Sequence, residues 1–128
     1  MLIVSCDNPS SRLGTNPEEA VTFQPIDVSN LPRPLDPVLA KGQDIYIQYC
    51  GRCHQIGKAG APRTGKKSDW STRRRKGLDL LIKHAIEGYE SPSGNEMPPR
   101  GGEKTLSDTE VAAAVKLMLH LSIGNTDQ

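Results

Sequence analysis

The stretch Cys50-Gly51-Arg52-Cys53-His54 places two thiols three positions apart, with an imidazole directly after the second. This is the C-x-x-C-H spacing of covalent haem attachment, in which the thiols reach the two vinyl groups of a porphyrin and the histidine falls beneath its iron. A zinc site would need a second cysteine or histidine pair, and a thioredoxin-like redox pair would need a strand–helix–strand setting. A simple disulfide would leave His54 without a role. We therefore expect one haem c, attached through Cys50 and Cys53, with His54 as a ligand of the iron.

The composition favours a chain that folds around such a group. Of 128 residues, 35% are hydrophobic and only 4% are aromatic, which is little for a core built from side chains alone. A buried porphyrin would supply the missing apolar surface. The length suits one globular unit.

Charge and hydropathy exclude two classes of partner. The formal net charge is +1, and the basic stretch 66–76 contains a single large ring, that of Trp70, so we do not expect binding to nucleic acid. The same stretch is either a solvated loop or a docking patch. No apolar run approaches the length needed to cross a bilayer, so we expect contact with a membrane only through a lipid anchor or a partner complex.

The N-terminal part of the chain differs in composition from the rest. Residues 7–35 are rich in Pro, Asn, Ser and Asp without a helical or strand period, which predicts an extended tether over 1–35 and a monohaem domain over 36–128. Leu2 to Cys6 resemble the end of a bacterial lipoprotein signal, in which the cysteine is acylated. Only five residues precede Cys6, fewer than a complete export signal needs. Either a natural precursor begins further upstream, or Cys6 is an ordinary thiol.

Three helices are predicted in the remaining sequence. The first begins with Asp36 as N-cap and Pro37 in its first turn and runs into Cys50; Gly42 within it indicates close approach by another backbone. The second spans Leu78 to about Glu87. The third begins at the capping box Ser107–Glu110 and runs to about Leu121. The Gly- and Pro-rich segments between the helices predict two long loops and no strand pair.

Several side chains compete for the sixth position of the iron. Met97 lies in a loop followed by two prolines, which can hold its backbone stiff, and it is the preferred candidate; the alternative is an exposed loop methionine. Met118 lies within the apolar stripe of the third helix and is interpreted as core. His84 and His120 fall outside the apolar stripes of their helices and are interpreted as surface residues.

These residues together resemble the class I cytochromes c, and within them the bacterial cytochrome c5 group. The resemblance covers residues 37 to 121 and rests on motifs in one order, which begin with Cys50–His54 and continue with Gly60-Ala61-Pro62, Trp70 with Arg73, Lys83–Gly88, Met97–Gly102 and Leu106–Val115. It implies an all-α fold of about three helices and long loops around one haem. It also implies that the first and third helices cross at Gly42.

The resemblance assigns further residues to the haem. It implies that the carbonyl of Pro62 accepts the second ring N–H of His54, as outer ligand partners do, and that Trp70 and Arg73 lie near the propionates. The alternatives are a core indole and a solvated arginine. Two departures exist: residues 103–105 lack the cysteine pair of some relatives, and Leu117 stands where an aromatic residue is frequent, which puts the usual helix contact in question.

The function expected from this pattern is single-electron transfer rather than catalysis. An iron with histidine and methionine ligands has no open position for a substrate. The expected partners are redox proteins, namely a quinol-oxidising complex, a dehydrogenase, or a terminal oxidase or reductase. The alternatives are a haem-bearing subunit fixed in a larger complex, and catalysis or gas binding at a five-coordinate haem. We expect the protein in the periplasm or on the outer face of the cytoplasmic membrane.

Overall fold

Residues 23–124, which the computed structural model describes, form a mostly helical fold, and the predicted fold class is confirmed. The helices are α1 Pro37–Ile45, α2 Gly51–His54, α3 Lys67–Arg74, α4 Leu78–Glu87 and α5 Asp108–Ile123. A π-helical turn, Tyr46–Cys50, joins α1 to α2, and short 3₁₀ turns lie at Val28–Asn30, Lys58–Gly60 and Pro99–Gly102. Strands β1, Tyr89–Glu90, and β2, Glu96–Met97, form an antiparallel pair.

The caps predicted for the first and last helices are present. The Asp36 carboxylate accepts hydrogen bonds from the backbone N–H groups of Val38 and Leu39, at 2.7 and 3.3 Å. At the start of α5, the Ser107 hydroxyl accepts from the N–H of Glu110 at 3.1 Å, and the Glu110 carboxylate accepts from the N–H of Ser107 at 2.9 Å. Each cap satisfies N–H groups that have no partner inside the helix.

Helices α1 and α5 cross where the sequence predicts. A Cβ atom at Gly42 would collide with the carbonyl oxygen of Ala113, so only glycine permits this approach. Leu117 lies beside the crossing with 1% of its surface exposed. Leu117 stands where relatives often have an aromatic residue, which had put this helix contact in question. The leucine nevertheless takes part in the contact.

Two elements differ from the prediction. Helix α3 lies in the basic stretch 66–76, where no helix was predicted, and the pair β1–β2 lies in a loop that was expected to have no strands. Helix α3 was missed because Trp70 is its only large apolar residue, so its sequence shows no apolar stripe. The strands contain two residues each, which is too short for a visible alternation.

The predicted tether is packed over the part that the structure describes. Val28 is 3% exposed and belongs to the core, and the buried amide of Gln43 donates to the carbonyls of Val28 and Leu31 at 3.1 and 3.2 Å. Ordered packing therefore begins before Asp36. The contacts join distant parts of the sequence, which is why local composition did not reveal them. Cys6 and the rest of 1–22 lie outside the described residues, and for them the tether stays a prediction.

No helix within residues 23–124 is long and apolar enough to span a bilayer.

The helix crossing predicts a cost for any side chain at position 42. The substitution Gly42→Ala should lower the free energy of unfolding by about 1–3 kcal/mol, because overpacking separates α1 from α5. The gain in helix propensity, about 0.5–1 kcal/mol, offsets only part of this loss. Denaturant unfolding followed by far-UV circular dichroism measures the change. The control Val38→Ala, on an exposed position of the same helix, should change stability by less than about 0.5 kcal/mol.

Candidate haem site

One cavity is lined by every residue that the sequence analysis assigned to the haem. Those residues are Cys50, Cys53, His54, Pro62, Trp70, Arg73 and Met97. The empty space among these residues, counted with its open mouth, is about 1070 Å³. Residues between Tyr49 and Met118, from several helices and loops, therefore meet around one open cavity.

His54 is the most constrained side chain of the cavity. It ends α2, it is 6% exposed, and its Nδ1 lies 2.8 Å from the carbonyl oxygen of Pro62. A carbonyl only accepts, so Nδ1 carries the proton and Nε2 keeps its lone pair. Burial lowers the pKa of His54, which favours the neutral ring. A neutral imidazole with a free Nε2 is the form that ligates a metal.

The backbone of His54 is held by the same loop. The N–H of Thr64 donates to the His54 carbonyl at 2.8 Å, and Thr64 is fully buried. The loop 62–64 thus bonds His54 at both its ring and its carbonyl. This double attachment fixes the orientation of the imidazole.

Cys50 and Cys53 are half-buried free thiols on the cavity wall. Burial raises the pKa of the Cys50 thiol to about 11, so this thiol is protonated at neutral pH. Redox-active and metal-binding cysteines have lowered pKa values instead. Within residues 23–124, moreover, no group of three or more Cys, His, Asp or Glu side chains could hold a metal ion. Cys50 therefore lacks the lowered pKa that is typical of a redox-active or metal-binding cysteine.

Met97 reaches the cavity from the strand pair. It lies in β2 opposite Tyr89 of β1, and its side chain is half-buried. Met118 of α5 also lines the cavity but is 3% exposed and belongs to the core. The structure thus places two thioethers at the cavity, one on a short strand and the other fixed within the main helix.

Trp70 is held by its ring nitrogen. Its Nε1–H donates to the carbonyl of Arg63 at 2.9 Å, and its ring centroid lies 6.2 Å from that of His54. Arg73, one turn later on α3, donates to the backbone carbonyl of Asp69 at 2.6 Å. Asp69 in turn accepts from the guanidinium of Arg63 at 2.7 and 3.1 Å. Helix α3 therefore supplies one indole and one cation to the same wall.

Several lining residues were not found from the sequence. His84 was expected at the surface, but it is half-buried, lines the cavity and stacks on Tyr89 at 4.4 Å between ring centroids. Lys76 donates to the Tyr89 hydroxyl at 3.3 Å. His84 follows Leu81 by three positions, so both lie on one face of α4, and this spacing could have predicted that His84 faces inward. The prediction missed it because histidine was counted as polar when the apolar stripe was drawn. His120 is exposed, as expected.

The family described as cytochrome c oxidase, cbb3-type, subunit III, matches residues 37–118. The chain belongs to this cytochrome c family. A cytochrome c-555 of Chlorobaculum thiosulfatiphilum is 36% identical over 80 residues, which are 62% of this chain and 92% of that protein. A cytochrome c5 of Azotobacter vinelandii is 37% identical over 79 residues, which are 60% of this chain and 89% of that protein.

Solved structures agree with the family. A chain from the crystal structure of an electron transfer complex of nitrite reductase with cytochrome c is 32% identical, with a TM-score of 0.58, over 70% of this chain and 99% of that chain. A monohaem ferrocytochrome c of Shewanella putrefaciens is 35% identical, with a TM-score of 0.51, over 60% of this chain and 89% of that chain. The predicted resemblance to class I cytochromes c is confirmed. This cytochrome c domain binds one haem c and transfers electrons.

The cavity fits that cofactor. Two thiols, the His54 imidazole with its free Nε2, and two thioethers line a single cavity, together with the residues Trp70 and Arg73. Nitrogen and thioether sulfur are the usual axial ligands of low-spin cytochrome iron. The residues of this cytochrome c domain thus supply the bonding groups that haem c requires.

The Trp70 hydrogen bond predicts a measurable contribution to stability. Trp70→Phe should lower the free energy of unfolding of the haem-loaded protein by about 1–3 kcal/mol, because it removes one hydrogen bond and leaves a gap behind a smaller ring. Chemical denaturation followed at the Soret band measures the loss. Thr72→Ala, on an exposed position of the same helix, is the matched control and should stay within about 0.5 kcal/mol of the parent. Equal stability of the two variants would contradict a structural role for the indole N–H.

Proposed function

We propose that Cys50 and Cys53 attach the haem by thioether bonds, that His54 and Met97 are its axial ligands, and that the protein is an electron carrier rather than an enzyme. The observation that carries the proposal is the hydrogen bond of 2.8 Å between Nδ1 of His54 and the Pro62 carbonyl. It leaves Nε2 as the free ring nitrogen of His54, which lines the cavity. An outer partner of this kind both orients a ligating histidine and raises its basicity.

Met97 is the better of the two methionines for the second axial position. Its strand is two residues long, and Pro98 and Pro99 limit the backbone that follows. Met118 is packed in α5 among core residues, where its sulfur cannot leave the helix without disrupting the core. With both axial positions filled by the protein, no site remains for a substrate.

The bound haem c supplies an iron that gains and loses one electron between its ferrous and ferric states. The chain itself contributes orientation, burial and charge. The Arg73 guanidinium and the Lys76 ammonium line the cavity, and cations at these positions suit the carboxylates of the two propionates. On the histidine side, the buried Trp70 and the α5 core would limit the access of water to a bound iron.

Covalent attachment is tested by extraction. Acid acetone should leave the haem on the parent polypeptide, because thioether bonds survive, whereas the Cys50→Ala, Cys53→Ala double variant should lose it. The pyridine haemochrome spectrum and the mass of the intact chain measure the outcome. Cys6→Ser is the matched control, since this cysteine lies outside the motif, and it should keep its haem. Haem that dissociates freely from the parent protein would overturn the assignment.

The axial ligands are tested by substitution of each thioether. Met97→Ala should abolish the weak near-infrared charge-transfer band of thioether-ligated ferric haem, lower the reduction potential and permit binding of cyanide or carbon monoxide. Met118→Leu, which keeps the volume of the core, should retain the band, and so should His84→Ala. Absorption spectra and redox titration of the haem-loaded variants give the readout. If the Met97 variant keeps the band and the Met118 variant loses it, the assignment of the two methionines is reversed.

We propose the periplasm or the outer face of the cytoplasmic membrane as the place of action, because c-type haem is attached there in bacteria. The proposed partners are a quinol-oxidising complex or a dehydrogenase as donor and a terminal oxidase or reductase as acceptor. The relative seen in an electron transfer complex with nitrite reductase supports an acceptor of the reductase class. A lipid anchor at Cys6 stays a proposal, which mass spectrometry of the native protein would test.

A haem-bearing subunit fixed in a larger respiratory complex is the second candidate. The description of the family as subunit III of an oxidase favours it. Native-gel electrophoresis of solubilised membranes, stained for haem, separates the two cases. A carrier migrates near the mass of one chain, 13.9 kDa, whereas a fixed subunit migrates with its complex.

A further inference from the structure

The segment 23–31, which we call the strap, lies outside the residues that match the family, since that match begins at residue 37. It is nevertheless fixed to the domain. Val28 is 3% exposed in the core, and the amide of Gln43, 5% exposed, donates to the carbonyls of Val28 and Leu31. One buried side chain thus bonds two strap carbonyls, of which that of Val28 also accepts from the N–H of Leu31 at 3.1 Å. Breaking this contact would leave the buried Gln43 amide without these partners, so the strap is a built part of the fold.

The strap packs on the outer side of the loop 62–66. The ring of Phe23 lies 5.4 Å from the guanidinium carbon of Arg63 and 5.9 Å from the ammonium of Lys66. A Cβ at Gly65 would collide with the side chain of Ile26. The isoleucine therefore touches the loop backbone directly, and the aromatic ring covers the cations on either side of it.

The inner side of the same loop holds His54. The Pro62 carbonyl accepts from Nδ1 of His54, and the Thr64 N–H donates to the His54 carbonyl, each at 2.8 Å. On the α5 side, the Gly65 N–H donates to the Ser122 hydroxyl at 2.8 Å. The loop is thus held on its inner side by His54 and α5, and on its outer side by the strap.

We infer that the strap is a positioning element for His54: contacts of Phe23 and Ile26 with the loop 62–66 keep the Pro62 carbonyl at hydrogen-bond distance from Nδ1. The inference rests on the proposed role of His54 as axial ligand. The strap acts through the loop and touches neither the ligand nor the cavity. Its effect is on the electronic character of the histidine, because a shorter and better aligned bond to a carbonyl makes the imidazole a stronger donor.

The direction of the effect follows from that bond. A stronger histidine donor stabilises ferric iron and lowers the reduction potential, so a loosened strap should weaken the bond and raise the potential. The same loosening should lower the iron–histidine stretching frequency of the ferrous, five-coordinate form. A merely structural segment would change the free energy of unfolding but leave the reduction potential and the iron–histidine stretching frequency of the folded protein unchanged.

The experiment compares Ile26→Ala and Phe23→Ala with the parent, as the full haem-loaded chain. Each variant should raise the potential, and in a Met97→Ala background each should shift the iron–histidine stretch to lower frequency in the resonance Raman spectrum. Ile26→Val, which loses Cδ1, the atom nearest to Gly65, but keeps Cγ1, should give values between those of the parent and of Ile26→Ala. Leu35→Ala is the matched control, because Leu35 is fully exposed beyond the strap. If Ile26→Ala fails to fold, the half-buried Phe23 provides the measurement.

Unchanged potential and unchanged stretch in both strap variants, with only a loss of stability, would overturn the positioning role. Failure of the proposed function has a different signature. If Met97→Ala alone does not open the iron, the axial assignment is wrong. If Met97→Ala does make the iron five-coordinate but the strap variants leave the iron–histidine stretching frequency unchanged, only the positioning role of the strap is refuted.

Discussion

The hydrogen bond from Nδ1 of His54 to the Pro62 carbonyl is the constraint on which the site depends. It requires the proton on Nδ1, so Nε2 is the ring nitrogen that remains available to the cavity rather than to the protein interior. It also ties the loop after the C-x-x-C-H motif to the helix before it. Trp70 bonds the next carbonyl of that loop, that of Arg63, and Ser122 accepts from Gly65. Hydrogen bonds to this loop from α2, α3 and α5 thus together fix the orientation of the His54 ring.

The helix crossing supplies the frame in which that bond forms. Gly42 lets α1 approach the backbone of α5, and α1 continues through its π-helical turn directly into the motif. The position of Cys50 relative to α5 therefore follows from one glycine and one turn. Val115 and Met118 then line the cavity from the same helix that meets α1. A haem bound in this cavity would add apolar surface to the core of a chain with few aromatic residues.

Local signals in the sequence predicted most of the fold and the reactive groups of the site. Asp36 and the Ser107–Glu110 box predicted two helix starts, because a cap depends only on neighbours in sequence. The motif Cys50–His54 carries its own spacing, so the thiols and the histidine could be named at once. The role of Pro62 came from family resemblance alone. No local rule assigns a carbonyl eight residues away to a histidine ring.

What could not be predicted depends on contacts between distant residues. Val28 and Gln43 are in contact although they are 15 positions apart, and the composition of residues 7–35 does not predict this contact. His84 joins the cavity by stacking on Tyr89, a partner set by the turn after α4. The central claim, histidine and methionine on one iron, is tested most directly by near-infrared magnetic circular dichroism of the oxidised parent protein. We expect the charge-transfer band of a low-spin histidine–methionine pair; a bis-histidine band or a high-spin, five-coordinate spectrum would contradict this assignment.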